Sequence, residues 1–294
     1  NHQTRVSQAF TGNIDQMVTD ICYNYLNTKK DLMVEETKSN HKFVIPRLKP
    51  TKAIEQLRKN AQSLHYENSG FLFFENGDGF NFKSYEGLFC KKDGTPRKTK
   101  AHYSPKIKNI GEDPVYALQS VEDFSILQQF DTLNNTANGV YASKLITHDL
   151  YNKTFEEIDF DYTKEYSKQT HLEMGDNDEK REDNGILPFF NYDNGKTFGN
   201  KSEGTIHYQS ETQKVHNTHE FPVSKDILQK RISQHLSVNS LIIEITAPGT
   251  TELRVGDIVN FTLPKYAPFS KEDTKDNDKY LSGRYLISAA RHHV

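Results

Sequence analysis

The chain has 294 residues, of which 34% are apolar and 26% charged, with 18 Phe, 15 Tyr, no Trp and a formal net charge of -3. That length allows one large domain or two, and so polar a balance calls for long surface loops or for faces buried against partners. The acidic excess excludes general attraction to DNA or anionic membranes, the distant Cys22 and Cys90 exclude a disulfide framework or zinc ribbon, and no apolar run is long enough for a membrane-spanning helix.

The first predicted element is a helix. Ile14, Met17, Val18, Ile21, Cys22 and Tyr25 recur at three-and-four spacing, with Asn13 as N-cap and Gln16 placed to close a capping box. Lys42–Pro50 is extended, because Pro46 and Pro50 bar a helix. A second helix opens near Thr51 and carries Ala53, Ile54, Leu57, Ala61 and Leu64 on one face. Phe71–Ser84 is an aromatic hairpin around Asn76, Gly77, Asp78 and Gly79, residues that tolerate the positive φ of tight turns. Lys91–Lys108 is a basic loop, with Lys91, Lys92, Arg97, Lys98, Lys100, Lys106 and Lys108 against Asp93.

Ser120 with Asp123 predicts a capped helix bearing Phe124, Leu127 and Phe130 and stopping in the Asn-rich 133–139 stretch. Gly139–Leu150 and Thr154–Tyr162 form a hairpin turning at Asn152 and Lys153, since β-branched and aromatic residues dominate. Residues 163–220 are a polar insertion with a strand at Gly204–Ser210. A helix over Ser224–Leu236, bearing Ile227, Leu228, Ile232 and Leu236, leads to the closing strands within Leu241–Gly249, Leu253–Pro264 and Tyr280–Val294, with turns at Gly256, Asp257 and Gly283. The expected fold is α+β: a helical domain with an aromatic β-hairpin over 1–118, then a Greek-key-like β-barrel over 119–294. That barrel is assembled from Gly139–Tyr162 and Leu241–Val294.

Catalytic and metal patterns are weak. His216 and His219 with Glu220 match neither order of the zinc-protease helix, and Pro222 stands nearby. His292 and His293 point to opposite faces of a strand. Counting from Asp176, the acidic run with Asp178 and Glu179 has Arg181 and Leu187 where a calcium loop needs Gly and Glu. Gly77 to Gly79 lies between two strands, not between a strand and the helix a phosphate loop requires. Glu156 and Glu157 face opposite sides of a strand. The expectation is a chain without catalytic site, metal or cofactor. Charge is more informative: Glu156–Asp193 holds twelve acids against four bases. Together with the basic loop, this leaves two readings open, solvated loops on one monomer or the docking of one subunit's basic loop on another's acids.

Three stretches together resemble the central baseplate hub of contractile-tailed bacteriophages of T-even type, and more distantly the hub part of VgrG spikes and late-control tail proteins. They are Phe71–Leu88, Asn138–Tyr162, and Leu253–Pro264 with Tyr280–Val294; Val44–Ala61 fits the same order. The resemblance implies a homotrimeric ring that joins the six-fold tail tube to the three-fold spike and forms part of the DNA ejection channel, DNA passing without specific binding. Its implied partners are further copies of itself, the spike, the tube protein or tube-initiator ring and other baseplate proteins, in a virion assembled in the host cytoplasm, with no membrane insertion. Such hubs carry two related barrels per subunit, so a further barrel is expected upstream of Asn1, as is the missing initiator Met. The alternatives are a tail-associated peptidoglycan hydrolase, which needs a carboxylate pair, and a glycan-binding receptor module.

Overall fold

The computed structural model describes residues 4–66, 68–105, 119–149, 152–166, 169–172, 204–210, 224–264, 277–278 and 280–292. In chain order these begin with β1 (Val6–Gly12), α1 (Ile14–Ile21), β2 (Asp31–Val34), β3 (His41–Leu48), α2 (Pro50–Arg58), β4 (Phe71–Glu75), β5 (Gly79–Ser84) and α3 (Tyr85–Phe89). Next come β6 (Ala101–Pro105), β7 (Ser120–Val121), β8 (Asp123–Gln128), α4 (Thr132–Ala137), β9 (Ala142–Asp149), β10 (Thr154–Asp161) and α5 (Tyr162–Tyr166). The last are β11 (Ile206–Ser210), α6 (Ser224–Val238), β12 (Ile242–Thr246), β13 (Ile258–Phe261) and β14 (Gly283–Leu286). The protein is mixed α and β and rich in strands. Its sheets have two to four strands each, and among the described residues none closes into a barrel.

The chain divides into two compact units, each entered more than once: Asn1–Gly87, Asp131–Gln169 and Ile186–Asn239 form the first, Leu88–Phe130, Thr170–Gly185 and Ser240–Val294 the second. In the first unit, β1 pairs antiparallel with β3, while β5 lies between β4 (antiparallel) and β2 (parallel). The core gathers Val6 and Phe10 of β1, Ile14, Met17, Val18 and Ile21 of α1, Ala53, Ile54 and Leu57 of α2, and the stacked Phe71 and Phe82, whose ring centroids lie 4.8 Å apart. The buried stripe of α1 is the one its periodicity predicts, and the helix continues as a π turn over Cys22–Leu26 that ends on Asn27 at φ +50°.

The cap of α1 differs from expectation. The Asn13 side chain makes no capping bond. Instead Thr37, from the loop after β2, accepts from the Asp15 amide at 3.1 Å and donates to Asp15 Oδ1 at 2.5 Å. α2 also ends sooner than its apolar pattern suggests, at Arg58; Ala61 stays buried but Leu64 is exposed.

The rest of the first unit is a three-stranded sheet, β10–β9–β11, with β10 antiparallel and β11 parallel to β9. Its inner face is unusually polar: Ser143, Leu145, Thr147 and Asp149 of β9 are all buried. α6 lies on that face and bonds through side chains, with Gln229 Nε2 donating to Ser143 O at 3.0 Å and Ser233 Oγ donating to Val140 O at 2.6 Å.

In the second unit the order is β14–β13–β6–β7 in one sheet and β12–β8 in another. The chain steps from β7 to β8 through Glu122, whose amide donates to Thr246 O at 2.8 Å. The core is filled by Tyr103, Val121, Val259 and Phe261, packed with Phe124, Ile243, Ile245 and Tyr285. Two expectations are corrected here. Residues 123–128 form β8, not a helix, because Phe124, Ser125 and Ile126 meet Ile245, Glu244 and Ile243 of β12 in register; the helix starts later, at α4, where Asp131 Oδ1 accepts from the Asn134 amide at 3.0 Å. Among the described residues, the strands of Leu241–Val294 pair with β6 and β8 and not with Gly139–Tyr162.

Candidate interaction surfaces

The outer face of β10–β9–β11 presents apolar side chains where alternation places solvent-facing residues. Register sets Phe155 opposite His148, Glu157 opposite Ile146 with Tyr208 on its other side, and Asp159 opposite Lys144 with Ile206 beyond. Phe155 is 58% exposed, Tyr208 74% and Ile206 46%. Burying such groups against another chain is favourable by about 25 cal/mol per Å² of apolar surface removed from water. Across this face Lys144 Nζ meets Glu157 at 3.1 Å, an exposed pair worth at most about 1 kcal/mol. The acids Glu156, Glu157 and Asp159 on β10 are exposed. β10 is an edge of its sheet among the described residues.

The basic loop is more ordered than its composition suggests. Asp93 Oδ1 accepts from the Thr95 hydroxyl at 2.6 Å and amide at 2.9 Å, which holds the Asp93 carboxyl below its usual range. The Lys91 amide donates to Thr95 O at 2.8 Å, closing a tight turn. From it Lys91, Lys92, Arg97 and Lys98 project into solvent. Lys100 is tied down, its Nζ 2.9 Å from Asp257 Oδ2, and the Arg284 guanidinium donates to Arg97 O. Within the stretch read as loop, residues 101–105 form β6, parallel to β13. Lys106 and Lys108 lie outside the described residues.

The sequence-derived turn residues have distinct places. At the aromatic hairpin Asn76 Oδ1 accepts from the Asp78 and Gly79 amides at 3.0 and 3.2 Å, and Gly79 adopts φ +146°. Gly77 lies between Asn76 and Asp78 on the same turn. Gly256, at φ +93°, precedes Asp257, whose carboxylate accepts from the Arg254 amide at 2.7 Å. Gly283 opens β14 opposite Phe261, and the reversal before it is held by Asp278, which accepts from the Tyr280 and Leu281 amides at 2.8 Å.

A third surface, which sequence reasoning missed, joins α2 and α6. Arg58 forks onto Glu55 with two 2.6 Å bonds, and its Nη1 donates to Phe71 O at 3.1 Å. Arg231 of α6 donates to Lys59 O at the C-terminal end of α2, where a cation also complements the helix dipole. His235, one turn on, lies 2.7 Å from the Tyr85 hydroxyl. Burial, then the nearby Arg58 and Arg231 guanidiniums, hold the His235 imidazole below its usual value. The only advance signal was the i, i+4 spacing of Arg231 and His235 on a predicted helix.

Among the described residues no group of three or more His, Cys, Asp or Glu is arranged to hold a metal ion, and no helix is long and apolar enough to cross a membrane. His216, His219, Asp176, Asp178 and Glu179 lie outside the described residues, as does His293; His292 is exposed. No known family matches the chain, and no curated protein does. Among solved structures it is similar to the tail protein from Neisseria meningitidis MC58, with a TM-score of 0.45 and 12% identity, over 89% of this chain and 59% of that one. The chain thus spans less than two thirds of that protein.

Proposed function

We propose that the chain is a structural, non-catalytic virion protein of a contractile phage tail, one of three copies in a baseplate hub ring between tube and spike. One observation carries this reading. The stretches that resemble such hubs all contain paired strands, β4–β5, β9–β10 and β13–β14; among the described residues β4, β10 and β14 each end a sheet, and β10 also exposes Phe155 for a neighbouring chain to cover. In this reading the strands β14–β13–β6–β7, continuing through Glu122 into β8 and β12, are the hub barrel. The basic turn from Lys91 to Lys98 docks the ring on an acidic partner, steering assembly more than setting its strength. An acidic chain lets DNA pass without gripping phosphates.

The mass of the particle in solution, alone and with a candidate spike protein, tests the reading. A trimer that captures the spike is the expected result. A monomer at all concentrations that ignores the spike, or release of soluble fragments from purified peptidoglycan, would falsify it.

A further inference from the structure

The exposed side of α2 carries an unbalanced charge. Lys52, Arg58 and Lys59 all act on Glu55 and hold its carboxyl below the usual range, the Arg58 hydrogen bonds contributing most. Arg231 joins them from α6, anchored to Lys59 O and close to Arg58. Three cations therefore act on one carboxylate, and a fourth, Arg231, stands beside them. Lys52 and Lys59 are exposed and stand seven positions apart, about 10 Å along a helix. That spread exceeds one phosphate group and suits several carboxylates held along an extended strand, where alternate residues repeat every ~7 Å.

The same chain offers such a strand. β10 exposes Glu157 and Asp159 as alternate residues of one face, with Glu156 exposed on the opposite face, and has a strand on one side only among the described residues.

We propose that the cationic face of Lys52, Arg58, Lys59 and Arg231 receives the acidic edge strand β10 of a second copy of this chain. The pairing rests on the ring reading above: two different patches meeting head to tail close a ring when the rotation allows. It adds to that reading the identity of the two surfaces.

Association is measured by analytical ultracentrifugation on the wild type, on Lys52→Glu/Lys59→Glu, on Glu157→Lys/Asp159→Lys, on their 1:1 mixture and on the quadruple variant. All four substituted positions are exposed, and circular dichroism checks that each variant is folded. Each double variant should weaken association on the order of tenfold or more. The mixture should associate more strongly than either variant alone, since every contact between unlike partners joins opposite charges, but a ring of three always keeps one like-charged contact, so only the quadruple variant should regain the full trimer. Wild-type association should also fall about tenfold or more between about 0.05 and 0.5 M salt, a readout that needs no variant. A trimer indifferent to charge reversal and to salt overturns the pairing and leaves the ring standing, whereas a wild type that stays monomeric overturns both.

Discussion

Gly87 has no room for a side chain: a Cβ there would stand 2.2 Å from Glu35 Oε2. That carboxylate accepts from the Ser84 amide at 2.9 Å and from its hydroxyl at 2.8 Å, while Ser84 Oγ accepts from the Gly87 amide at 3.0 Å and so caps α3. Gly87→Ala should cost about 1–3 kcal/mol in urea unfolding, because the added methyl pushes the Glu35 carboxylate off its Ser84 hydrogen bonds. His41 sets a pH dependence. It is 1% exposed, stacks on Phe43 at 5.6 Å, and burial pushes its pKa from 6.5 down to about 4. Because the fold favours neutral imidazole, this contribution is complete above pH ~6.5 and is lost as pH falls toward 4, about 3 kcal/mol in total. His41→Phe should remove that slope from the pH profile of the melting temperature. At this scale the sequence was readable only where neighbours in the chain decide. The Asn76–Gly79 turn is local and matches expectation, but Thr37 caps α1 from twenty-two residues away, and no spacing rule reaches that far.

Elements were legible where one apolar face repeats cleanly. α1 and the strands of both hairpins follow their patterns, because a buried face fixes periodicity. β8 did not, since Phe124 and Leu127 also fit a helical spacing and only the ladder to β12 selects the strand. β1 has just Val6 and Phe10 buried among polar residues, too few to announce a strand. α6 was legible as a helix but not in its attachment, which depends less on the predicted Leu228 and Ile232 than on polar side chains. Gln229 is 2% exposed and donates to both Ser143 O and Ser143 Oγ. Gln229→Ala should therefore cost about 2 kcal/mol, and hydrogen exchange should show the loss in β9 more than in β4 or β5. The cationic α2–α6 face stayed hidden for a related reason, as its charges come from segments about 170 positions apart.

At the scale of the whole molecule, the proposed ring would draw first on the exposed Phe155, Ile206 and Tyr208. Phe155→Ser with Tyr208→Ser should leave the monomer's melting temperature within a few degrees, since exposed side chains contribute little to folding. The same pair should weaken any trimer or spike complex measurably in a native mass spectrum. Unchanged complexes would free that sheet face from an assembly role. The ladder between β6 and β13 has another outcome, in the order of events during synthesis. Asn260 lies 158 positions after His102, its register partner, so β6 leaves the ribosome long before the strand that flanks it. Until β13 emerges, the nascent second unit holds an uncovered template for pairing with strangers. Chaperone demand should thus persist from the emergence of β6 until β13 has left the ribosome and fall once the two strands pair.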